Sequence, residues 1–211
     1  FGLAIWGVFN LPIGFKKKPK RFKLLNAYTG KEYNSKEILQ TLNKYKIKYE
    51  TLNIRELALK ISKGKVIGWF QGKSEYGPRA LGNRSIIADS RSKKIRDYLN
   101  KEIKHRELYR PFAPAIIEED AKKYFDLNEE SPYMLRVAKV KKPEKIPAVT
   151  HVDGTARVQT VNINQNYRFY NLIDEFKKIT GVGCLLNTSF NDAGEPIVET
   201  PLDSLITSSG T

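Results

Sequence analysis

Some of the arginine and lysine side chains of the chain lie beside glycine and proline in short loops. The first such loop, 71–85, holds Arg79 and Arg84 among three glycines and follows an apolar run. Glycine allows a backbone to approach a ligand closely, and a guanidinium can bind phosphate or carboxylate oxygens through two parallel hydrogen bonds. The glycine spacing fits neither a P-loop nor a dinucleotide-binding loop. The segment therefore predicts an anion-binding loop, with a tight turn carrying solvated arginines as the alternative.

A second loop, 104–114, places Lys104, Arg106 and Arg110 ahead of the sequence Pro-Phe-Ala-Pro. A solvated basic helix end would also contain clustered cations. The proline-rich tail favours a binding role instead, because a stiff segment fixes the direction in which Arg110 points.

Polar side chains also lie next to two predicted strands in the second half of the chain. In 151–159 a polar loop leads into a strand that begins near Arg157. In 186–197 a buried strand ends in amides and hydroxyls, including Asn187 and Ser189, with an Asx-rich turn as the alternative. Ligands of open α/β sheets bind at the carboxyl ends of strands, so this position favours binding.

The four loops together predict a site for a polyanionic small molecule, built from four or five cations and several neutral donors. His105 and His151 are the two histidines of the chain, and no dense spacing of Asp, Glu and His accompanies them. We therefore expect no metal cage in this chain. No Ser-His-Asp triad or cysteine nucleophile is recognisable, so we expect chemistry by positioning and charge neutralisation.

The composition agrees with anionic partners. Among 211 residues, 37 Lys and Arg face 23 Asp and Glu, giving a net charge of +14, which is typical of proteins that meet nucleic acid, membrane surfaces or phosphorylated small molecules. Hydrophobic residues make up 40%, which is enough for a packed core and excludes general disorder. The single Cys184 excludes a disulfide framework and favours a reducing, cytoplasmic location. No apolar run reaches the roughly 18 residues of a membrane-spanning helix.

Helix and strand patterns alternate along the chain. Capping-box patterns that begin at Asn34 and Asn53 predict two helices. Further helices are expected over 91–103, 118–125 and 167–180, and strands over 66–70, 133–140, 158–163 and 182–186. The alternation predicts an α/β or α+β class with a mixed sheet flanked by helices.

Both ends of the sequence suggest interruption. Residues 1–22 join an apolar stretch to a following basic run, which indicates the end of a preceding domain and a linker rather than a signal peptide or a membrane-surface anchor. Near the other end, Thr200-Pro201-Leu202-Asp203 predicts a helix start shortly before the chain stops. We expect one domain over 23–211, truncated at its C-terminal end.

Four motifs, taken in order, resemble the C-terminal domain of the O-carbamoyltransferases, a family that includes nodulation-factor, aminoglycoside and cephem carbamoyltransferases. They read QGKSEYGPRALGNRSIIADSR, RPFAPAI, HVDGTARVQTV and LLNTSFNDAGEPIVETP. The likeness begins near Tyr28 and is weak before Val66. It implies a YrdC-like domain, a twisted mixed sheet flanked by helices, that makes carbamoyl adenylate from carbamoyl phosphate and ATP. It also implies a separate N-terminal domain of actin-like ATPase fold, with an iron site and the acceptor alcohol, onto which the carbamoyl group moves.

Carried over residue by residue, the resemblance implies catalytic roles for four cations, Arg79, Lys104, Arg110 and Arg157. The expected ligand shell around ATP and carbamoyl phosphate adds Gln71, Gly77, Arg84, Arg106, Asn187 and Ser189. Mg²⁺ is expected to help the pyrophosphate leaving group. The family commonly has glycine where His105 stands, which puts the backbone path of that loop in question but not its charges.

Two other functions stay open. YrdC-type domains also make threonylcarbamoyl adenylate for tRNA modification, and the net charge of +14 would suit RNA. A non-catalytic basic binding module is the second. The motifs PRALGNRS and GTARVQT favour the carbamoyltransferases, and most of the excess lysine lies outside the motifs. We therefore expect small-molecule substrates and the N-terminal domain as partners, without nucleic acid or membrane, and leave a homodimer and the acceptor alcohol open.

Overall fold

The computed structural model describes residues 26–209, so the predicted remnant and linker over 1–22 lies outside the described residues. Its helices are α1 (Ser35–Lys44), α2 (Ile54–Ser62), α3 (Lys93–Tyr98), α4 (Glu118–Tyr124), α5 (Tyr167–Thr180) and α6 (Pro201–Ser209). A π-helical turn, Leu99–Ile103, continues α3, and a 3₁₀ turn covers Pro147–Val149. The strands are β1 (Ile67–Phe70), β2 (Arg84–Asp89), β3 (Ala113–Ile117), β4 (Arg136–Lys139), β5 (Thr155–Val161) and β6 (Cys184–Ser189). The predicted mixed α/β class is confirmed.

The strands form one sheet in the order β1-β2-β6-β3-β5-β4, in which β3 and β5 are parallel and the other neighbours antiparallel. Ser85 pairs with Ser189, and Ala113 pairs with Asn187. The starts of β2, β3 and β5 therefore lie beside the carboxyl ends of β1 and β6, at one end of the sheet. We call it the loop end. The loops that leave it are 71–83, 104–112, 150–154 and 190–200.

Local sequence signals set the helix boundaries. The side chains of Asn34 and Asn53 each accept a hydrogen bond from the backbone three residues on, and Glu37 and Glu56 return the bond, so both predicted capping boxes are confirmed. Helix α5 ends as predicted at Gly181, whose φ of 76° is left-handed. These signals set where the helices begin and end through contacts within a few residues of each terminus.

Apolar side chains cover both faces of the sheet. On one face, Phe169 and Ile173 of α5 and Ile61 of α2 pack against strand residues such as Leu185. On the other face, Leu99 of the π turn belongs to a cluster that includes strand residues and helix α4. Because apolar layers hold the middle of the sheet from both sides, the loop end rests on a rigid base.

One strand prediction needed correction, and two strands were not predicted. The run 66–70 was expected to be a buried strand, but β1 is a half-buried edge strand because β2 is its one neighbour in the sheet. Strands β2 and β3 were not predicted, since both begin inside segments interpreted as loops. Pro114 lies within β3 opposite Leu186, although proline is unfavourable inside a sheet.

No helix in the described part of the chain is long and apolar enough to cross a bilayer.

Replacing Gly82 by alanine is expected to lower the free energy of unfolding by about 3 kcal/mol, since overpacking and a left-handed backbone each cost about 1–2 kcal/mol. The φ of Gly82 is +105°, and a Cβ there would lie 2.2 Å from Cδ1 of Phe169. Gly77→Ala is the matched control, because its φ of +114° is similar but no atom lies within 4 Å of the added carbon. Urea denaturation of both variants measures the difference, and equal losses would contradict the packing argument.

Candidate functional site

Several cavities open at the loop end of the sheet, and two of them are lined by predicted site residues. The first, which we call the lysine pocket, has a volume of about 390 Å³ and is lined by the loop after the π turn and the loop after β6. The second, the arginine pocket, has a volume of about 480 Å³ and is lined by Arg79, Arg157, Tyr76 and Tyr133, among others. The predicted cations thus gather at one end of the sheet but divide between two cavities.

Lys104 is the buried cation of the lysine pocket. The π turn ends where its backbone N–H bonds to the Leu99 carbonyl at 2.8 Å. Its ammonium donates to the Ser189 carbonyl at 2.7 Å, the Asn191 carbonyl at 2.6 Å and Asn191 Oδ1 at 2.8 Å. Burial, helped by the neighbouring charge of Arg106, lowers the pKa of Lys104 to about 8. The side chain therefore connects two loops. Its positive charge is unfavourable in this buried position, and a bound anion would stabilise it.

Arg106 and Arg110 are held by a buried amide that the sequence did not single out. Asn100 Oδ1 accepts from Arg106 Nε at 2.8 Å, and Asn100 Nδ2 donates to the Arg110 carbonyl at 2.9 Å. The Arg106 guanidinium also stacks on Phe112, 4.7 Å from the ring centre. Arg110 is half exposed and pairs with Glu107 at 2.7 Å. No motif in the sequence identified Asn100 as a site residue, because its contacts with Arg106 and Arg110 form only when the following loop folds back over it.

His105 has a left-handed backbone, with φ of 44°. Glycine adopts this conformation at no steric cost, whereas an L side chain adopts it at a cost of roughly 1 kcal/mol. The backbone of this loop therefore has a conformation that glycine favours, and His105 adopts that conformation. The imidazole Nε2 lies 3.8 Å from Asp192 Oδ1 at the rim of the lysine pocket.

The arginine pocket brings two guanidinium groups together without a carboxylate. Burial and the charge of Arg79 both lower the pKa of Arg157. Among residues 26–209, Arg157 Nε is buried and has no hydrogen-bond partner. Arg79 is exposed and donates to the Pro78 carbonyl at 3.4 Å. The exposed Arg79 and the half-buried Arg157 repel each other, so an anion bound between the two guanidinium groups would offset this electrostatic repulsion.

Amides line the sheet between the two pockets. Asn187 is buried on β6 and donates through Nδ2 to the Ala80 carbonyl at 3.1 Å and to Gln159 Oε1 at 2.7 Å. Gln159 Nε2 in turn donates to the Leu81 carbonyl at 2.7 Å. Gln159 lies inside the motif HVDGTARVQTV, but no role was assigned to it from the sequence. These bonds fasten the loop 71–83 onto β5 and β6.

Ser189 and Asn191 continue this polar row into the lysine pocket. The Ser189 hydroxyl donates to Asn191 Oδ1 at 2.6 Å, the same oxygen that accepts from Lys104. Asn191 Nδ2 donates to the Glu195 carbonyl at 2.7 Å and closes the loop after β6. Ser189 therefore lines the lysine pocket beside Lys104, whereas Asn187 lies deeper in the sheet.

Four residues of the predicted ligand shell are absent from the linings of both pockets: the buried Asn187 described above, and Gln71, Gly77 and Arg84. Arg84 is fully buried, stacks on the ring of Phe70 at 3.7 Å, and donates to the Gln71 carbonyl at 2.6 Å. The Gln71 amide donates to the Gly82 carbonyl and to two buried asparagines. Gly77 is exposed at the tip of the loop. These contacts use the Gln71 amide and both terminal nitrogens of Arg84, while Arg84 Nε is buried without a hydrogen-bond partner among the described residues. We assign both side chains to the scaffold that shapes the loop 71–83.

Raising the pH through about 8 is expected to weaken anion binding in the lysine pocket. Lys104 loses its proton near pH 8 in the free protein, rather than near the usual 10.5, and a neutral amine attracts an anion less strongly. The same shift means that the unfolded state binds more protons between about pH 8 and 10.5, so stability should rise across that interval. Calorimetric titration with ATP from pH 6.5 to 9.5 measures the first effect. An affinity that stays constant across pH 8 would contradict the assignment.

Comparison with known proteins identifies the domain. The family described as Carbamoyltransferase C-terminus matches residues 58–211. Nodulation protein NolNO of Sinorhizobium fredii is 52% identical over 152 residues, covering 70% of this chain and 22% of the relative. The 3'-hydroxymethylcephem-O-carbamoyltransferase of Amycolatopsis lactamdurans is 45% identical over 151 residues, covering 72% and 29%. An uncharacterized protein of Synechocystis is 38% identical over 230 residues, covering 96% and 37%.

The chain spans less than two fifths of the length of these relatives. Among solved structures, full-length HypF in its phosphate- and nucleotide-bound form matches with a TM-score of 0.54 at 18% identity, over 76% of this chain and 24% of HypF. That likeness concerns the fold and agrees with the expected YrdC-like sheet. The four motifs, the matched residues and the named relatives lead to the same conclusion, that this chain belongs to the carbamoyltransferase family and contains its C-terminal domain.

Proposed function

We propose that this domain binds ATP and carbamoyl phosphate at the loop end of its sheet and joins them to form carbamoyl adenylate. The observation that carries the proposal is the uncompensated charge of the arginine pocket, where Arg79 and Arg157 lie together without a carboxylate partner among the described residues. Lys104 and Arg106 add two partly desolvated cations next to it. Two polyanions repel each other strongly, and this arrangement offsets that repulsion.

The proposed chemistry needs positioning rather than a protein nucleophile. Water splits carbamoyl phosphate into carbamate and inorganic phosphate. A carbamate oxygen then attacks the α-phosphorus of ATP, the bond from that phosphorus to the bridging oxygen breaks, and pyrophosphate leaves. The cations hold the phosphates in line and stabilise the charge on the leaving group. Lys104 can exchange its bond with Asn191 Oδ1 for a ligand oxygen while keeping its two carbonyl contacts.

The residues present do not form a metal site of their own. No group of three His, Cys, Asp or Glu side chains within residues 26–209 is placed to hold a metal ion. Mg²⁺ is therefore proposed to arrive with ATP, coordinated by its phosphates, as part of the substrate. The acceptor alcohol and the iron implied by the family resemblance are assigned to the longer part of the enzyme outside this chain, which is the proposed partner of the domain.

Isotope exchange tests this function. The full-length protein is incubated with ATP, Mg²⁺ and radiolabelled pyrophosphate, with and without carbamoyl phosphate. We expect label to enter ATP when carbamoyl phosphate is present and exchange to stop when it is omitted. Parallel reactions with threonine and bicarbonate test the tRNA-modification alternative. Exchange that ignores carbamoyl phosphate but needs threonine and bicarbonate would overturn the proposal.

A further inference from the structure

The first described residues of the chain form part of the arginine pocket. We call residues 26–31 the strap, because they run beside the loop 71–83 and are hydrogen-bonded to it. Ala27 and Thr29 of the strap line the arginine pocket. The strap lies upstream of residues 58–211, which match the carbamoyltransferase family, and it contains none of the site residues expected from the sequence. It therefore contributes to the pocket without a motif that would identify it.

Backbone hydrogen bonds hold the strap against the first part of this loop. The Gly30 N–H donates to the Ser74 carbonyl at 3.0 Å, and the Ser74 N–H donates to the Lys31 carbonyl at 3.2 Å. The Tyr76 N–H donates to the Ala27 carbonyl at 2.7 Å. A side chain at Gly30 would block this approach, because an added Cβ would lie 1.9 Å from Ser74 Oγ and 3.1 Å from the Ser74 carbonyl oxygen. The glycine therefore allows the strap and the loop to meet.

The side chain of Tyr28 attaches the strap to the loop at a second point. Its hydroxyl donates to the Leu81 carbonyl at 3.0 Å and accepts from Asn166 Nδ2 at 3.0 Å. Burial raises the pKa of Tyr28, so the hydroxyl stays protonated and can donate at neutral pH. Ala27 and Tyr28 also pack against a small apolar cluster that contains Leu81. The strap is therefore held to Leu81 by both a hydrogen bond and apolar contact.

Arg79 lies between these two attachments. The strap binds Tyr76 on one side of the loop tip, residues 77–80, and Leu81 on the other. The Arg79 side chain is exposed, and its guanidinium donates to the carbonyl of the adjacent Pro78 at 3.4 Å, a contact that moves with the tip itself. An exposed side chain of this kind depends on the backbone beneath it for its position. The strap therefore helps to set where Arg79 lies in the arginine pocket.

We propose that the strap positions Arg79 for the anionic substrates, with Tyr28 and Gly30 as the positioning residues that fasten it to the loop. The inference rests on the proposed function and adds to its site a segment upstream of the matched family domain. Chemistry by positioning and charge neutralisation depends on where each charge is placed, and a displacement of about 1 Å can cost up to about 10²-fold in rate. Loosening either attachment should therefore lower activity through Arg79.

Tyr28→Phe tests the attachment at Leu81, because it removes the hydroxyl and keeps the ring. In pyrophosphate exchange by the full-length protein, kcat/KM for carbamoyl phosphate should fall about fivefold, the usual effect of losing one neutral hydrogen bond. Tyr170→Phe is the matched control, since the Tyr170 hydroxyl donates to Glu119 at 3.2 Å in an exposed contact between α5 and α4. Its kcat/KM should stay within about twofold of the wild-type value.

A double-mutant cycle with Arg79 separates positioning from a general effect on folding. Arg79→Met alone should lower kcat/KM by roughly thirtyfold, the usual effect of removing a hydrogen bond from a charged donor. In the Arg79→Met background, Tyr28→Phe should cost less than about twofold, because no guanidinium remains to be positioned. A strap that only stabilised the fold would cost the same in both backgrounds.

Gly30→Val tests the other attachment in the same way and does not depend on Tyr28. Its side chain would meet Ser74 and separate the strap from the loop. We expect kcat/KM to fall about tenfold in the wild-type background and less than about twofold beside Arg79→Met.

The outcomes separate the two proposals. Wild-type kcat/KM in folded Tyr28→Phe and Gly30→Val overturns the role of the strap but leaves carbamoyl adenylate formation standing. Losses that persist in full beside Arg79→Met do the same, and so does an Arg79→Met variant with wild-type exchange. Absence of any exchange that depends on carbamoyl phosphate in the wild-type protein overturns the proposed function, and the role of the strap with it.

Discussion

Replacing Arg157 by methionine is expected to reduce carbamoyl-phosphate-dependent pyrophosphate exchange by about 10²- to 10³-fold, the usual effect of removing one fixed donor that stabilises transition-state charge. The same change should leave the free energy of unfolding unchanged or raise it. Arg157 is half-buried beside Arg79, has an unpaired Nε, and has its pKa lowered by burial and by that neighbouring charge. Methionine keeps the length and apolar stem of the side chain without the buried charge. Opposite effects on activity and stability are typical of a group selected for function.

Arg136→Met is the control for this experiment. Arg136 lies on the neighbouring strand β4, is exposed, and pairs with Glu129 at 2.5 Å. Its replacement removes the same charge from the same sheet and should leave the exchange rate within about twofold of the wild-type rate, because exposed ion pairs contribute little to stability. Exchange kinetics and urea denaturation of both variants provide the measurement. A large loss of stability in Arg157→Met, in proportion to its loss of activity, would show that the arginine is structural.

The residue types in four short segments predicted one anion site from the sequence, and that site stays a prediction. The register of the sheet brings the four segments to one end. Local rules also worked for the capped helices, since the groups that satisfy Asn34 and Asn53 lie three residues away in the chain. Predictions of this kind succeed because the interactions they rely on are contained within one short segment.

The roles of individual side chains could not be predicted in the same way. Arg79 and Arg84 occupy one motif, yet Arg79 is exposed, whereas Arg84 is buried on Phe70 with its two terminal nitrogens bonded to backbone carbonyls. The difference arises from β1 and the residue after it, because Phe70 provides the ring on which Arg84 stacks and Gln71 provides a carbonyl that accepts from it. Likewise, the amide of Asn187 is oriented by the Ala80 carbonyl, 107 residues away in the chain. A motif identifies the residue types present, but long-range packing decides which of them face a ligand.

At His105, contacts of the neighbouring residues hold a strained backbone. The backbone there is left-handed, which is the conformation that glycine would favour, and the side chain projects towards the rim rather than into the core. Lys104 and Arg106 on either side are anchored to Asn191 and Asn100, which fixes the path of the loop. Anchors in the neighbouring residues therefore offset the modest strain at this position.

Lys104→Met is expected to have the largest effect of all, a loss of about 10³-fold in kcat/KM for carbamoyl-phosphate-dependent exchange, equivalent to about 4 kcal/mol. Two physical effects combine. The variant loses the buried charge that offsets repulsion between the substrates, and it leaves the carbonyls of Ser189 and Asn191 without their donor. The second effect displaces Ser189, a proposed ligand residue. The loss of exchange activity should therefore exceed the loss caused by replacing an exposed cation.

Lys101→Met separates this role from a general effect of charge. Lys101 lies three residues earlier on the π turn, is exposed, and pairs with Glu102 at 2.9 Å. Removing it lowers the net charge equally but should alter exchange by less than about twofold, because the charge is solvated and distant charges are screened. Assays should run well below the unfolding midpoint of each variant, since the lost bonds of Lys104 also lower stability. If Lys104→Met, folded at the assay temperature, turned over as fast as Lys101→Met, the lysine would serve only to join the two loops, and the phosphates would have to be held by the arginines alone.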